Sequence, residues 1–263
     1  MTHEELENYF RNKLGWGWGY QAREVFGFLC EASEACKGGV ILDAGAGHQR
    51  YKPFFQDCLY IAQEHPEAGK QNKGIKEYDI LCDVRSIPLR NECIDIILST
   101  VSFEHMEYPQ EFVNEAFRVL KPGGSLWLQA PCVYNEHEVP YDFQRVTRYG
   151  LMRHFRHAGF NSYWVKPNSS STETGIFALK FGIQEDSRRL NAAIYVKIIT
   201  KVLLKLTDCY LRILKKVFDR GPFEDTTMPI CWISCATKTG KLAPTNRGNM
   251  DAKEFVKTNA LGQ

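Results

Sequence analysis

Short apolar runs alternate with segments of helical periodicity along most of the chain. The apolar runs predict strands at residues 40–43, 59–64, 80–83, 93–99, 126–129, 160–166 and 230–237. Helical spacing, with capping and breaking residues at the ends, predicts helices at residues 4–12, 20–36, 49–56, 109–120 and 147–159. Strands and helices that alternate in this way are typical of right-handed β-α-β units around a parallel sheet.

This pattern divides the chain into four parts. Residues 39–167 together with 227–238 form the predicted α/β domain, and residues 1–38 precede it as a helical segment. Residues 168–226 form a predicted helical insertion before the last strand. Residues 239–263 are polar and are expected to be a flexible tail, as chain ends often are.

The composition is that of an ordinary globular protein and excludes few functions. Of 263 residues 44% are hydrophobic, and the net charge of +2 argues neither for nor against a nucleic-acid partner. The nine cysteines form no C-x-x-C pair and no Cys/His cluster with zinc spacing, so we predict no metal site and a reducing, cytoplasmic environment. The acidic amino terminus lacks the apolar core of a signal peptide, and no run approaches the roughly 18 apolar residues of a membrane span.

The turn after the first predicted strand is the most informative stretch for function. Residues 40–47 read Val-Ile-Leu-Asp-Ala-Gly-Ala-Gly, which places Asp43 at the carboxyl end of a buried strand and Gly45 and Gly47 in the turn. Glycines let a ligand approach the backbone, and ligands of open α/β sheets bind outside the carboxyl ends of strands. A dinucleotide site would need a third glycine where Arg50 stands, so the turn favours a nucleoside without a pyrophosphate, such as S-adenosylmethionine.

Four motifs make the segment 39–166 resemble a class I S-adenosylmethionine-dependent methyltransferase of the small-molecule group. They are Leu-Asp-Ala-Gly-Ala-Gly at 42–47, Asp83 with Ile-Pro-Leu at 87–89, Ile-Asp-Ile-Ile at 94–97 followed by Phe103-Glu104-His105, and Arg-Val-Leu-Lys-Pro-Gly-Gly at 118–124. Their order and spacing carry the resemblance further than any single motif does. It implies a Rossmann-like, seven-stranded, mostly parallel sheet with helices on both faces, and S-adenosylmethionine as the cofactor.

The resemblance also implies roles for residues at the strand ends. Asp43 and the Gly45–Gly47 backbone would border the methionine end of S-adenosylmethionine. Glu64 would accept the ribose hydroxyls from the end of the second strand, although the family usually has an aspartate there. Asp83 would accept the adenine amino group, and Ser99 would face the same cleft. A strand-end cap for Asp43 and a plain surface position for Glu64 are the alternatives.

A polar motif follows the fifth strand at the open edge of the cleft. Residues 137–147 read His-Glu-Val-Pro-Tyr-Asp-Phe-Gln-Arg-Val-Thr and resemble methyltransferases of glycan and lipopolysaccharide assembly. Histidine side chains titrate near neutrality, so His137 is the candidate base for a poorly nucleophilic hydroxyl. Asp142 would orient or replace it, and Arg145 would hold an anionic group of the acceptor. Alternatively, Asp142 and Arg145 pair with each other and only brace the loop.

The insertion contains an amphipathic pattern at residues 191–219. Basic side chains recur on one face and apolar side chains on the other, as in a long amphipathic helix or a broken pair of helices. Three interpretations stay open: a cover that packs on the core over the active site, a homodimer surface, or a peripheral contact with an anionic membrane. The basic positions are Lys197, Lys201, Lys205, Arg212 and Lys216.

The sequence thus predicts a methyltransferase that uses S-adenosylmethionine and acts on a small-molecule or glycan acceptor, through a hydroxyl. A lipid-linked glycan would fit a protein on the inner face of the membrane. We predict no nucleic-acid partner, because no appended RNA-binding module is found. The alternatives are a protein that binds S-adenosylmethionine without transferring a methyl group, and an RNA methyltransferase.

Overall fold

One seven-stranded sheet organises the fold. The computed structural model describes residues 1–14, 20–67, 77–189, 227–241 and 250–261, and within the insertion residues 198–199, 201–203, 205–207 and 209–210. The strands are β1 (Val40–Ala44), β2 (Leu59–Glu64), β3 (Ile80–Leu81), β4 (Ile94–Thr100), β5 (Leu120–Pro131), β6 (Ser162–Pro167) and β7 (Cys231–Thr237). They lie in the order β3-β2-β1-β4-β5-β7-β6.

The strand directions place a ligand crevice between β1 and β4. Strands β1 to β5 pair in parallel, whereas β7 runs antiparallel to both β5 and β6. After β1, strands β2 and β3 are added on one side of it. The chain then crosses back, and β4 and the later strands lie on the other side of β1. Such a switch point leaves a crevice at the carboxyl ends of the strands. The predicted seven-stranded, mostly parallel, Rossmann-like α/β fold is confirmed.

Helices cover the sheet, and several of them begin or end at residues that the sequence predicts. They are α1 (His3–Asn8), which continues as a π-helix (Tyr9–Lys13), α2 (Tyr20–Cys36), α3 (Pro109–Val119), α4 (Arg148–Ala158), α5 (Ser171–Arg189) and α6 (Ala252–Asn259). The Thr147 side chain caps α4 by accepting the Gly150 N–H, and Gly159 ends the helix at a φ of +102°. Residues 49–56 contain only a 3₁₀ turn at Lys52–Phe55.

The two faces of the sheet bury separate apolar clusters. Along β1, Val40 and Leu42 belong to one cluster and Ile41 belongs to the other, since successive side chains of a strand point to opposite faces. Asp43 therefore lies on the same face as Ile41, where α2 covers the sheet. Its carboxyl group is buried because it follows three fully buried apolar residues into the sheet.

The carboxyl-terminal segment differs from the expected flexible tail within residues 250–261. Helix α6 begins after Asp251, whose side chain caps its first turn, and it buries Phe255. The Asn259 carbonyl accepts the Arg90 N–H at 2.7 Å, and Asn259 Oδ1 accepts the Arg90 guanidinium at 2.6 Å. One buried aromatic residue among polar neighbours gives little periodic signal, so this docking follows from tertiary contacts.

The insertion begins with α5, and its described later part is helical and exposed. The large apolar side chains exposed there are Ile198, Ile199, Val202, Leu203, Leu206 and Tyr210. Three of the predicted basic positions, Lys197, Arg212 and Lys216, lie outside the described residues. Within the described part of the chain, no helix combines the length and the apolar character needed to cross a membrane.

Candidate cofactor and acceptor site

The two glycines after β1 differ in what a side chain at each position would meet. Gly45 has a φ of +77°, and a Cβ added there would lie 2.7 Å from the Ser102 Cβ, so the protein itself requires glycine at this position. Gly47 has a φ of +47°, and a Cβ added there would meet nothing within 4 Å. The open space at Gly47 is therefore available to a ligand at the carboxyl end of β1.

Asp43 carries an unsatisfied buried oxygen beside this turn. The Tyr60 hydroxyl donates a hydrogen bond to Asp43 Oδ2, whereas Oδ1 is buried with no hydrogen-bond partner. Burial raises the pKa of Asp43 to about 7, the Tyr60 hydrogen bond opposes this, and the nearby charge of Glu64 adds to it. A buried acceptor without a donor is costly, so a donor or a cation from a bound ligand would stabilise it.

The end of β2 holds the glycine turn in place. Glu64 accepts the Gly47 N–H through Oε2 and the His65 N–H through Oε1, both at 2.8 Å. Gln63 is fully buried, accepts the Gly45 N–H through Oε1 at 3.1 Å and donates to the Cys82 carbonyl at 2.7 Å. Neighbouring side chains of β2 thus bind the turn after β1 and connect it to the end of β3.

Asp83 lies just beyond β3 and pairs with Arg85. Its Oδ1 accepts the Arg85 N–H at 2.9 Å, and its Oδ2 accepts the guanidinium at 2.9 and 2.7 Å. These bonds hold the pKa of Asp83 below its ordinary value. The Asp83 side chain is 36% exposed, so its ionised carboxylate can still accept a further hydrogen bond from a ligand.

Ser99, at the end of β4, is connected to the glycine turn through Ser102. The two hydroxyl oxygens lie 2.7 Å apart, and Ser102 donates to the Ala44 carbonyl at 3.3 Å. Ser99 itself is fully buried. Val101 between them has a φ of +50°, which is an outlier for a β-branched residue and is typical of functional loops. Ser102, rather than Ser99, stands beside the turn.

The loop after β5 is braced by an ion pair. Arg145 donates to both carboxylate oxygens of Asp142, at 2.6 and 2.7 Å, and to the carbonyls of Tyr134 and Asn135 at 3.2 and 2.7 Å. Asp142 also accepts the His137 N–H at 2.9 Å. The Arg145 bonds hold the pKa of Asp142 well below its usual range. Asp142 and Arg145 are thus paired with each other in the structure. Asp142 also holds the backbone of His137.

His137 faces a buried glutamate that follows β4. His137 Nε2 lies 3.6 Å from Glu104 Oε1, and His105 Nε2 lies 4.0 Å from the same oxygen. Glu104 is fully buried, and neither of its carboxylate oxygens has a hydrogen-bond partner. Burial raises the pKa of Glu104 to about 7. Three groups that can hold a proton or a cation therefore converge at the edge of the cleft.

Sequence reasoning assigned no role to three residues that shape this site. Gln63 and Ser102 bind the glycine turn from neighbouring strands, and Glu104 provides the buried carboxylate. The motif Phe103-Glu104-His105 was visible directly after β4, where ligand-binding loops of this fold begin. The burial of Glu104 was not visible, because acidic residues next to a histidine are usually exposed.

Comparisons with known proteins find methyltransferases among the proteins that are similar to this chain. A family model described as a methyltransferase domain matches residues 42–128. This segment is similar to known methyltransferase domains. It begins within β1 and ends within β5, so the match includes the glycine turn and stops before the loop of His137.

Curated relatives share only part of their length with the chain. It is 29% identical over 89 residues to a 25S rRNA (adenine-N1)-methyltransferase of Schizosaccharomyces pombe, which covers 34% of this chain and 26% of that protein. It is 26% identical over 113 residues to a ubiquinone/menaquinone biosynthesis C-methyltransferase of Roseobacter denitrificans, with coverage of 41% and 44%. The chain thus spans less than half the length of these relatives.

One solved structure can be aligned with most of this chain. The crystal structure of a SAM-dependent methyltransferase from Archaeoglobus fulgidus aligns with 90% of this chain and 100% of its own, at 14% identity and a TM-score of 0.49.

Proposed function

We propose that this protein is a methyltransferase that moves a methyl group from S-adenosylmethionine to a hydroxyl of a small-molecule or glycan acceptor. The observation that carries the proposal is the turn after β1. There, open space at Gly47 lies next to the buried, unpartnered Oδ1 of Asp43, in a segment of the methyltransferase-domain type. A cationic ligand with an ammonium group supplies the donors that this site lacks.

The donor half of the site offers a group for each part of S-adenosylmethionine. The unpartnered Oδ1 of Asp43 and the backbone of the glycine turn favour the methionine end. Glu64, whose oxygens accept backbone N–H groups, retains lone pairs for the ribose hydroxyls. Asp83 accepts the adenine amino group from the end of β3. In this arrangement Ser99 acts through Ser102, which contacts the turn.

The acceptor half positions the reacting hydroxyl and takes its proton. Methyl transfer from a sulfonium is an in-line displacement: the acceptor oxygen bonds to the methyl carbon, the carbon–sulfur bond breaks, and the sulfur leaves as a neutral thioether. The proton of the hydroxyl passes to Nε2 of His137, which lies at the cleft edge with 25% of its side chain exposed. Asp142 and Arg145 act as positioning residues, because their ion pair holds the His137 backbone.

Two other functions are distinguished by direct measurement. A protein that binds S-adenosylmethionine without transfer would need only the donor half, and an RNA methyltransferase would resemble the Schizosaccharomyces pombe relative in its acceptor as well. Calorimetry with S-adenosylmethionine should show binding to the purified protein. An untargeted acceptor screen with a radiolabelled methyl donor should then label a small molecule or glycan. Binding without any labelled product contradicts transferase activity, and labelled RNA contradicts the acceptor class.

Asp83→Ala should weaken S-adenosylmethionine binding by about 1–3 kcal/mol, since it removes a hydrogen bond to a charged acceptor. Arg85→Ala is the matched control, because it breaks the same ion pair and leaves the carboxylate in place. Calorimetry of both variants separates the two roles. If Arg85→Ala weakens binding as much as Asp83→Ala does, the carboxylate serves the local turn and not adenine.

Asp43 should make the free energy of unfolding depend on pH. Its pKa is about 7 in the folded protein and about 3.9 in an unfolded chain. Between these values the folded state holds a proton that the unfolded state has released, so this residue's contribution to stability falls as pH rises from about 4 to about 7. Relative to Asp43→Asn, the wild type should lose stability over that range in denaturant titrations. A constant difference between the two proteins would contradict the shifted pKa.

We further propose that the later part of the insertion contacts an anionic membrane. The described residues between 198 and 210 expose their apolar side chains, with Val202 at 51% and Leu206 at 60%, so these side chains do not pack on the core. Lys201 and Lys205 are exposed on the same segment. An exposed apolar surface with basic neighbours is typical of helices that lie on anionic lipid. A homodimer surface is the alternative.

Charge reversal at Lys201 and Lys205 should strongly reduce flotation with vesicles that contain anionic lipid at low salt. Each basic residue near such a surface contributes about 1 kcal/mol. Reversal of Lys37 and Lys257, which are exposed elsewhere, should leave flotation unchanged. A wild-type protein that stays soluble beside these vesicles contradicts the membrane contact, and a concentration-dependent dimer would then account for the apolar surface.

A further inference from the structure

Two histidines and one glutamate meet at the edge of the cleft in a geometry that the proposed transfer does not require. Glu104, His105 and His137 each offer one ligand atom, and these atoms all lie within 4.8 Å of one another. The two imidazole rings are 4.8 Å apart between centroids. Ligands about 2.0–2.2 Å from a common ion lie roughly 3–4 Å apart, so small side-chain adjustments would let all three bind one ion.

Hydrogen bonds fix which nitrogen of each ring carries the proton. His105 Nδ1 lies 2.6 Å from the Tyr141 carbonyl, and His137 Nδ1 lies 3.2 Å from the Asn135 carbonyl. A carbonyl only accepts, so in both neutral rings Nδ1 donates and the lone pair is on Nε2. Both Nε2 atoms face Glu104. A ring N–H donated to a backbone carbonyl is the usual support of a metal-ligating histidine.

Glu104 makes the cluster more than a pair of neighbouring histidines. Its side chain is fully buried and aimed between the two rings, and neither oxygen has a hydrogen-bond partner. The guanidinium of Arg145 is bound to Asp142 and to backbone carbonyls. The buried carboxylate of Glu104 therefore has no hydrogen bond that would stabilise a negative charge. A bound cation would stabilise that charge.

We infer that Glu104, His105 and His137 form a binding site for one divalent transition-metal ion. Two imidazole nitrogens and one carboxylate are a donor set that suits zinc in catalytic sites and iron in other enzymes. The set leaves at least one coordination position open. On the exposed side, Glu138 Oε2 lies 3.7 Å from His105 Nε2 and can serve as a further ligand.

Contacts between the two loops hold these ligands in place. The Phe143 N–H donates to the Glu104 carbonyl at 2.9 Å, and Gln144 donates to the carbonyls of Phe103 and Met106 at 2.9 and 3.2 Å. The segment after β4 and the segment after β5 are thereby joined around the cluster. Such support is what a pre-organised metal site needs, because it reduces the ordering that binding must accomplish.

The catalytic consequence rests on the proposed function, whereas the binding does not. The lone pair of His137 Nε2 can take a proton or bind a metal ion, but not both at once. With an ion bound, the acceptor hydroxyl would occupy the open position, and the ion would lower the pKa of that hydroxyl. Glu104 lies two residues after Ser102, which contacts the glycine turn.

The test is direct metal binding by the metal-stripped full-length protein. Titration with Zn²⁺ in a calorimeter, and with Co²⁺ followed by visible absorption, should show about one ion per chain. Glu104→Gln and His137→Ala should each lose most of this binding. Glu136→Gln and His157→Ala, which change an exposed acid in the same loop and an exposed histidine of α4, should bind as the wild type does. Thermal unfolding without metal checks that all variants fold.

Each outcome decides whether Glu104, His105 and His137 bind a metal ion or act without one. Stoichiometric binding that depends on Glu104 and His137 supports the inference, as does turnover that a chelator abolishes and Zn²⁺ restores. A wild type that binds neither ion more tightly than the Glu104→Gln/His137→Ala double variant overturns it. If a wild type that binds neither ion still binds S-adenosylmethionine and methylates an acceptor, the proposed function stands and His137 is the base. If instead the wild type binds Zn²⁺ but never binds S-adenosylmethionine, the proposed function fails and the metal site stands.

Discussion

Gly47→Val should abolish S-adenosylmethionine binding while the protein remains folded. A Cβ at this position meets no protein atom within 4 Å, so the valine side chain would project into space that we assign to the ligand. The φ of +47° is unfavourable for valine and should cost roughly 1–2 kcal/mol of stability. Calorimetry measures the loss of binding, and thermal unfolding shows that the fold survives.

Gly38→Val is the matched control for this variant. Gly38 also has a positive φ, of +76°, and a Cβ there also meets nothing within 4 Å, but it precedes β1 at the opposite edge of the sheet. It should suffer a similar loss of stability and keep the full affinity for S-adenosylmethionine. Gly45→Val is unsuitable, because the Ser102 side chain stands where its Cβ would go. Undiminished affinity in Gly47→Val would remove the central claim about the turn.

The turn after β1 and the end of β2 could be predicted from sequence because their signals are local. The run Val40–Ala44 predicts a buried strand, and the glycines that follow predict a turn at its carboxyl end, whichever strands become its neighbours. Glu64 was predicted at the end of β2 by the same logic, and the structure ends β2 at that residue. What the pattern could not show is that Glu64 accepts the Gly47 N–H, since this bond depends on the pairing of β1 with β2.

The loop after β5 depends on contacts between distant segments, and its arrangement was predicted less fully. The motif at 137–147 pointed to His137, Asp142 and Arg145, but it could not decide between an acceptor-binding arginine and a bracing ion pair. In the structure the Arg145 guanidinium donates to Asp142 and to backbone carbonyls, which is the arrangement of a bracing ion pair. The role of Glu104 was hidden, since a carboxylate becomes unusual only when the fold buries it without a partner.

The absence of a predicted metal site has the same explanation. Zinc spacing rules detect ligands that are close in sequence, such as paired cysteines. Here two ligands follow β4 and the third follows β5, so only the parallel pairing of those strands brings them together. Because parallel neighbours end at the same edge of the sheet, loops that are remote in sequence become adjacent there.

His137→Ala should lower methyl transfer by about 10²–10⁴-fold, the usual contribution of a general base, while the affinity for S-adenosylmethionine stays nearly unchanged. The reason is the separation of the two halves: the bonds of His137 are to the loops after β4 and β5, and none is to the glycine turn. A metal ligand at this position would give a loss in the same direction. Single-turnover rates with the acceptor found by the screen, and calorimetry with the donor, measure the two effects separately.

His154→Ala provides the comparison, since His154 is half-buried in α4 and bonds through Nδ1 to Gln110 at 2.8 Å, outside the cluster. It should retain turnover within a few-fold of the wild type, which would show that removing a histidine does not by itself impair the enzyme. The dependence of the rate on metal then separates the two roles of His137. A base at this position sustains the rate in the metal-stripped protein, whereas a metal ligand makes the rate depend on the added ion. If His137→Ala retains the wild-type rate on the true acceptor, the residue is structural and the proton must leave by another route.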